Sequence, residues 1–183
     1  MTGLLGGAFD PPHVGHVALA DGAERLLGLT RVVAVVAADP GHKHVHCPAE
    51  TRLALARAAF PGREVELDHH ARTVDMLREG SWDDPVFLIG ADEFVDFPRW
   101  KEPEAVLDLA RLGVASRPGY PRERLDEVLA GLSQPERVLF FDIEPLPVSS
   151  REIRERVARG EPIDGLVPPA VAAEIVSRGL YRS

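Results

Sequence analysis

Glycines, prolines and histidines are concentrated in one short segment near the start of the chain, GGAFDPPHVGH at residues 6–16. Gly6 and Gly7 follow the first apolar run, where a missing Cβ lets a bulky anion approach the backbone N–H groups. His13 and His16 are three residues apart, so on a helix they project from one face near its positive end. These groups together can bind a polyphosphate, although the same residue types also suit a plain turn, a metal pair or a solvated helix face.

A second segment with phosphate-binding chemistry is PVSSREIRERV at residues 147–157. Ser149 and Glu152 have the spacing of a capping box that opens a helix. Arg151 and Arg154 then fall in the first turns, where the helix dipole disfavours cations. A bound polyphosphate would reverse that preference, because hydroxyl groups and a guanidinium at a helix start bind phosphate well.

Composition limits the classes of protein that the chain can belong to. With 183 residues, the chain is expected to form a single domain over 1–183. The net charge of −8 argues against a nucleic-acid partner, so any anion site must be local. Cys47 is the only cysteine, the first residues lack a signal-peptide pattern, and no stretch approaches the about 20 apolar residues of a membrane span. We therefore predict a cytoplasmic protein without a membrane partner, and the sequence leaves its oligomeric state open, a homo-oligomer included.

Short β-branched runs alternate with segments of helical period, which predicts βαβ units. The expected fold is α/β, a doubly wound and mostly parallel sheet of about five strands. Helices are predicted over 14–27, 50–60, 73–78, 103–110, 122–132, 150–158 and 169–178. Strands are predicted at 4–5, 32–37, 65–67, 86–89, 112–115 and 137–141. Such sheets bind ligands at the carboxyl ends of strands near the point where strand order reverses, and segment 6–16 lies at the first such junction.

Segments 6–16 and 147–157 resemble the nucleotidyltransferases that carry a His-x-Gly-His motif, and among them the bacterial nicotinate-nucleotide adenylyltransferase family. Further pieces match in the family's order over nearly the whole chain: HK at 42–43 followed by Arg52, RTVDML at 72–77, IGADEFVDFPRW at 89–100, SRPGY at 116–120, and VPPAV with GLY near the end. The resemblance implies a Rossmann-like nucleotidyltransferase fold.

The resemblance also implies a reaction in NAD biosynthesis. ATP and nicotinic acid mononucleotide would give nicotinic acid adenine dinucleotide and pyrophosphate by direct attack on the α-phosphorus, with no covalent protein intermediate. Mg²⁺ would be carried mainly by the ATP phosphates, without a dedicated protein metal site. Transfer to nicotinamide mononucleotide or phosphopantetheine, a cytidylyltransferase, and a non-catalytic nucleotide sensor are the alternatives. A class I aminoacyl-tRNA synthetase fragment is disfavoured, because it needs a lysine-rich second signature and only Lys43 and Lys101 are lysines.

Residue roles follow from the matched motifs. The implied catalytic residues are His13, His16, Lys43 and Arg154. Among them, His16 is our first choice to stabilise the charge that develops on the phosphates during the reaction. The implied ATP-binding residues are Gly6, Gly7, Ala8, Phe9, His13, His16, Ser149, Ser150 and Arg154. The implied residues for the mononucleotide are Lys43, Arg72, Thr73, Gly90, Asp92, Trp100 and Arg117.

Some of these positions carry two interpretations. Arg72 stands where the family often has an aromatic residue, and it either pairs with the nicotinate carboxylate or faces solvent. Trp100 is either a lid on the pyridine ring or a core anchor behind Phe94 and Phe97.

Two further features of the sequence bear on ligand binding. Ala8 stands where the family often has a hydroxyl residue. This difference removes one side-chain contact to phosphate but keeps the backbone amides. HKHVHC at 42–47, with His69 and His70 as further candidates, suits either structural zinc or a polar substrate loop.

Overall fold

Six short apolar runs form one sheet in which every neighbouring pair of strands is parallel. The computed structural model describes residues 1–41, 44–116 and 120–182. The strands are β1 (Thr2–Gly7), β2 (Arg31–Ala37), β3 (Val65–Asp68), β4 (Pro85–Gly90), β5 (Arg111–Ala115) and β6 (Val138–Phe141). The predicted α/β fold is thus confirmed, with six strands where about five were expected. All six lie at predicted strand positions, including the four-residue edge strands β3 and β6.

The strand order β3-β2-β1-β4-β5-β6 reverses direction between β1 and β4 at the centre of the sheet. Doubly wound sheets bind ligands in the crevice outside the carboxyl ends of the strands at this switch point. Because β1 ends in Gly6 and Gly7, the glycine pair lies at the crevice, as the sequence predicted.

Eight α-helices lie along the described chain, and most begin within one or two residues of the predicted positions. They are α1 (Val14–Leu27), α2 (Ala49–Ala59), α3 (Thr73–Glu79), α4 (Ala91–Asp96), α5 (Pro103–Leu109), α6 (Arg122–Ala130), α7 (Ser150–Ala158) and α8 (Pro169–Ser177). Gly28 ends α1 in the left-handed conformation (φ 65°), directly after the predicted helix range 14–27. Helix α4 was not predicted, and neither were the 3₁₀ turns Phe97–Arg99 and Pro135–Arg137.

The two faces of the sheet carry separate apolar cores, because successive strand residues point to opposite sides. On one face, residues of α1, α2, α7 and α8 pack with strand residues such as Leu5 and Ala34. On the other face, residues of α3, α4, α5 and α6 pack with Leu4 and Val35. Burial on both faces explains why β2 reads as a continuous apolar run. No helix among the described residues combines the length and apolarity needed to cross a membrane.

Gly6 and Gly7 are the last two residues of β1, paired with Val35 and Val36, whereas the sequence analysis placed them after the strand. A Cβ at Gly6 would lie 2.8 Å from the Phe87 ring, and one at Gly7 would lie 3.0 Å from the Phe9 ring. Glycine at these two positions therefore lets the Phe87 and Phe9 rings pack against β1, independently of any ligand that binds to the backbone.

Candidate active site

A cavity of about 880 Å³ opens at the carboxyl ends of the central strands. Both motif segments line it, although more than 130 residues separate them in the chain. All nine residues predicted to bind ATP lie on its wall: Gly6, Gly7, Ala8, Phe9, His13, His16, Ser149, Ser150 and Arg154. The two segments therefore converge on one space, which is the geometry that a shared triphosphate requires.

The start of α1 fixes the two histidines against each other. His13 precedes the helix as its N-cap residue, and His16 is the third residue inside it. The His16 Nδ1 accepts a hydrogen bond from the backbone N–H of His13 at 3.2 Å, and the two ring centroids are 3.7 Å apart. Because Nδ1 is used as an acceptor, the neutral His16 ring carries its proton on Nε2 and can donate it to a bound anion.

The start of α7 is capped by one serine, as the spacing predicted. The Ser149 Oγ accepts a hydrogen bond from the backbone N–H of Glu152 at 3.2 Å. The reciprocal half of a capping box is not formed, because the Glu152 carboxylate instead accepts from Arg156 Nε at 3.1 Å. The cap therefore depends on the Ser149 hydroxyl alone.

Two other residues of α7 tie the helix to the first motif. Ser150 Oγ donates to the Pro11 carbonyl at 2.7 Å, and Arg154 Nη1 donates to the Asp10 carbonyl at 2.6 Å. Arg151 behaves differently: its side chain is 83% exposed and pairs with Glu155 at 3.0 Å. Of the two arginines that the helix dipole disfavours, only Arg154 is directed at the loop that follows β1.

Phe9 contributes main chain rather than side chain to the cavity. Its ring is only 1% exposed and packs edge-on against Phe60 and His16, with centroids 5.7 and 5.1 Å away. Its φ of 50° is left-handed, which turns the chain sharply after β1. The prediction that Phe9 contacts ATP is therefore restricted to its backbone.

A second cavity of about 940 Å³ adjoins the first. Four residues predicted to bind the mononucleotide line it: Arg72, Thr73, Asp92 and Trp100. Gly90 instead lines the first cavity, because it ends β4 at the crevice. Lys43 and Arg117, also predicted for this substrate, lie outside the described residues.

The two cavities have a common wall at the ends of β1 and β4. Five residues line both of them: Gly6, Gly7, Ala8, Asp92 and Glu93. A Cβ at Gly90 would lie 2.5 Å from Asp92 Oδ1, so a glycine is needed at this position for the Asp92 carboxylate to reach the wall. Ligands in the two cavities would meet at this shared wall.

Trp100 packs in the core on one side and lines the second cavity on the other. Its ring packs edge-on against Phe87 and Phe97, with centroids 6.0 and 5.4 Å away, so one side anchors the core. The ring is only partly buried and lines the second cavity, which leaves aromatic surface for a ligand.

Basic and acidic side chains both line the second cavity, and Arg72 and His70 are two of its basic residues, beside Arg99 and Lys101. The Arg72 guanidinium makes one hydrogen bond among the described residues, to the Ala71 carbonyl at 3.3 Å. His70 was not predicted at this cavity; its ring contacts Glu79 through Nε2 at 3.1 Å and Asp68 through Nδ1 at 2.6 Å. Hydrogen bonds to Glu79 first and Asp68 second raise the pKa of His70 above its ordinary value.

Arg52 is a structural element of the site to which the sequence analysis gave no role. Its side chain is 1% exposed, and its guanidinium donates to four main-chain carbonyls at 2.7–3.0 Å, those of Ala8, Ala37, Ala38 and Cys47. Burial lowers the pKa of Arg52, and the nearby Asp10 carboxylate opposes that change. The guanidinium thus joins the ends of β1 and β2 to the chain entering α2. The only indication of this role in the sequence is that Arg52 lies within the apolar face of α2.

Among residues 1–41, 44–116 and 120–182, no group of three or more His, Cys, Asp or Glu side chains could hold a metal ion. His44 and His46 stack on each other with centroids 5.0 Å apart. Cys47 is buried, which raises the pKa of its thiol. His42 lies outside the described residues, so the zinc interpretation has no ligand set within them.

The fold and the site together define the class of the protein. A parallel sheet of order 3-2-1-4-5-6, with two motif segments around one cavity at its switch point, is a nucleotide-binding architecture. Residues 4–156 match the cytidylyltransferase-like family, which places the chain among nucleotidyltransferases.

Curated relatives identify the family within that class. A probable nicotinate-nucleotide adenylyltransferase of Rubrobacter xylanophilus is 37% identical over 100% of this chain and 92% of its own length. One of Thermus thermophilus is 39% identical over 98% of each chain. The chain belongs to the nicotinate-nucleotide adenylyltransferase family, so the resemblance that the motifs suggested is confirmed.

Solved structures support the fold. The Plasmodium falciparum nicotinic acid mononucleotide adenylyltransferase complexed with NaAD superposes with a TM-score of 0.75 at 16% identity, covering 98% of this chain and 96% of that one. A putative nicotinate-nucleotide adenylyltransferase from Vibrio parahaemolyticus gives 0.69 at 19% identity, over 100% and 95% of the respective chains.

Proposed function

We propose that this chain transfers the adenylyl group of ATP to nicotinic acid mononucleotide, giving nicotinic acid adenine dinucleotide and pyrophosphate. The observation that carries the proposal is the pair of cavities that share Gly6, Gly7 and Ala8 at the end of β1. ATP occupies the first cavity and the mononucleotide occupies the second. The phosphate of one nucleotide then meets the α-phosphorus of the other at the shared wall.

The reaction is a single displacement. A phosphate oxygen of the mononucleotide forms a bond to the α-phosphorus of ATP, and the bond from that phosphorus to the bridging oxygen breaks. Pyrophosphate leaves with the electron pair of that bond. No side chain is a nucleophile, so the chain accelerates the step by aligning the two phosphates and by stabilising the charge that develops on them.

Three groups of the first cavity supply that stabilisation. The His16 Nε2–H donates to the phosphate on which charge develops, since its Nδ1 is already held by the His13 backbone. Arg154 and the hydroxyls of Ser149 and Ser150 bind the β and γ phosphates, which become the leaving pyrophosphate. The starts of α1 and α7 hold these groups at the cavity. The Ser150 hydroxyl has to leave the Pro11 carbonyl, to which it donates its one proton, before it can donate to a phosphate.

The second cavity selects the acceptor. Trp100 covers the pyridine ring, and Asp92 and Gly90 lie near the ribose at the end of β4. Arg72 and the Thr73 region receive the nicotinate carboxylate, and His70 adds positive charge to the same cavity when it is protonated. This charge favours the acid over the amide mononucleotide. Lys43 and Arg117 are also proposed to bind the mononucleotide, on the basis of the sequence alone.

Mg²⁺ is proposed to travel with the ATP phosphates and to neutralise part of their charge when bound. It would be held mostly by phosphate and water, because Mg²⁺ gives up its water ligands reluctantly.

Four further expectations concern the protein as a whole. We propose that residues 1–183 form one nucleotidyltransferase domain that binds small nucleotides rather than nucleic acid. A cytoplasmic location stays a prediction of the sequence, which leaves the oligomeric state open, a homo-oligomer included.

Pyrophosphate release from ATP tests the proposal with three acceptors in parallel: nicotinic acid mononucleotide, nicotinamide mononucleotide and phosphopantetheine. We expect the highest kcat/KM with the acid mononucleotide. A higher value with phosphopantetheine would refute the acceptor assignment. A protein that binds ATP yet releases no pyrophosphate with any acceptor would instead be a nucleotide sensor.

A further inference from the structure

Tyr181, near the end of the printed sequence, contacts the first motif. Its hydroxyl donates to the Asp10 carboxylate at 2.8 Å, across 171 residues of chain. The Asp10 side chain is only 3% exposed, so this is a contact inside the molecule and not on its surface. The function described above gives Tyr181 no role.

Asp10 joins three separate parts of the site. Its carboxylate also accepts hydrogen bonds from the backbone N–H groups of His46 at 2.5 Å and Cys47 at 3.3 Å. Its main-chain carbonyl accepts from Arg154 Nη1 at 2.6 Å. Asp10 therefore connects the loop after β1, to which it belongs, with the segment before α2 and with helix α7.

The conformation of Tyr181 is one that a non-glycine residue adopts only when its surroundings require it. Its φ is 62°, in the left-handed region that disfavours residues other than glycine. This conformation sets the ring edge-on to His46, with centroids 6.5 Å apart, and the hydroxyl on Asp10. Burial raises the pKa of Tyr181 well above its ordinary value, so the hydroxyl keeps its proton and stays a donor.

We propose that Tyr181 is a positioning residue for adenylyl transfer, which acts through Asp10 to hold Arg154 at the first cavity. The inference rests on the proposed function, because it assigns Arg154 to the triphosphate. Tyr181 itself does not line either cavity, so its hydroxyl acts on the reaction indirectly, and Asp10 is the contact that leads to Arg154.

The test compares Tyr181→Phe with Ser177→Ala. The first variant keeps the ring and removes the hydroxyl from Asp10, whereas the second removes an exposed hydroxyl that bonds Glu174 at the end of α8. We expect Tyr181→Phe to lower kcat about 10-fold while the KM values of both substrates change less than about threefold, since a small misplacement of aligned groups is costly. Ser177→Ala should stay within about twofold of the wild type.

A merely structural hydroxyl would give another result. In that case Tyr181→Phe would lower the melting temperature, but kcat per folded molecule would remain within about twofold of the wild type, and the proposal would be wrong.

A double-mutant cycle with Arg154→Ala adds a second condition. If Tyr181 acts on Arg154, its replacement should cost less than about threefold in the Arg154→Ala background. An equal loss in both backgrounds would overturn the proposal.

Amide hydrogen exchange separates this inference from the proposed function. The His46 and Cys47 amides bonded to Asp10 should exchange at least about fivefold faster in Tyr181→Phe and at the wild-type rate in Ser177→Ala. Unchanged exchange in Tyr181→Phe would refute the coupling through Asp10. A wild-type protein without pyrophosphate release would refute the proposed function, and the exchange experiment would still decide whether Tyr181 holds Asp10.

Discussion

Replacing Arg52 by lysine tests how the carboxyl edge of the sheet is held together. The guanidinium donates four hydrogen bonds to carbonyls of Ala8, Ala37, Ala38 and Cys47. A lysine keeps the positive charge, but its single nitrogen cannot reach acceptors that lie on different sides of a planar fork. We expect at least two of the four carbonyls to lose their partner while they stay buried.

The loss can be worked out from these bonds. A hydrogen bond to a charged group contributes about 1.5–3 kcal/mol, so two lost bonds lower the free energy of unfolding by about 3–6 kcal/mol. With a urea m-value of about 2 kcal/mol/M, the unfolding midpoint should fall by about 1.5–3 M. That is a large share of the about 5–15 kcal/mol that stabilises a typical domain.

Urea unfolding followed by circular dichroism measures this change, and Arg57→Lys is the matched control. Arg57 lies on the same helix but is exposed, so its replacement should change the free energy of unfolding by less than about 0.5 kcal/mol. Equal midpoints for Arg52→Lys and Arg57→Lys would refute the conclusion that the buried guanidinium holds the strand ends.

Three further predictions concern the two cavities. His16→Ala should lower kcat by about 10²-fold with the fold retained, as for a lost oxyanion donor, and a turnover within a few-fold of wild type would refute its role. Arg72→Ala should raise the KM for nicotinic acid mononucleotide more than for the amide, and an equal rise for both would remove the carboxylate pairing. His70→Gln should destabilise the protein more at pH 5.5 than at pH 8.5. The raised pKa of folded His70 makes its contribution to stability complete below its unfolded pKa, about 6.5, and lost as pH rises through the folded value. Unfolding curves with equal differences at the two pH values would contradict this.

The location of the site could be predicted because local signals and topology agree. Gly6 and His16 bracket a strand end and a helix start, and in a doubly wound sheet such junctions form the ligand crevice. Ser149 indicates the start of α7 by its capping spacing. Since both segments have this form, their convergence on one cavity follows from the fold.

Other parts depend on contacts between residues far apart in the chain. The contacts of Arg52 and Tyr181 could not be predicted, because their acceptors are distant in the chain and lie on the main chain or on Asp10. Helix α4 spans only six residues, and burial of Phe94 and Phe97 in the core holds it in place. Its helical period was not recognised, because the short segment runs directly from β4 into the 3₁₀ turn Phe97–Arg99.

The shared wall of the two cavities shapes how the enzyme would release its product. A dinucleotide that straddles Gly6, Gly7 and Ala8 occupies the places of ATP and the mononucleotide at once. It would therefore inhibit competitively against either substrate. Both halves would have to detach before another turnover begins, so accumulating dinucleotide would slow its own synthesis.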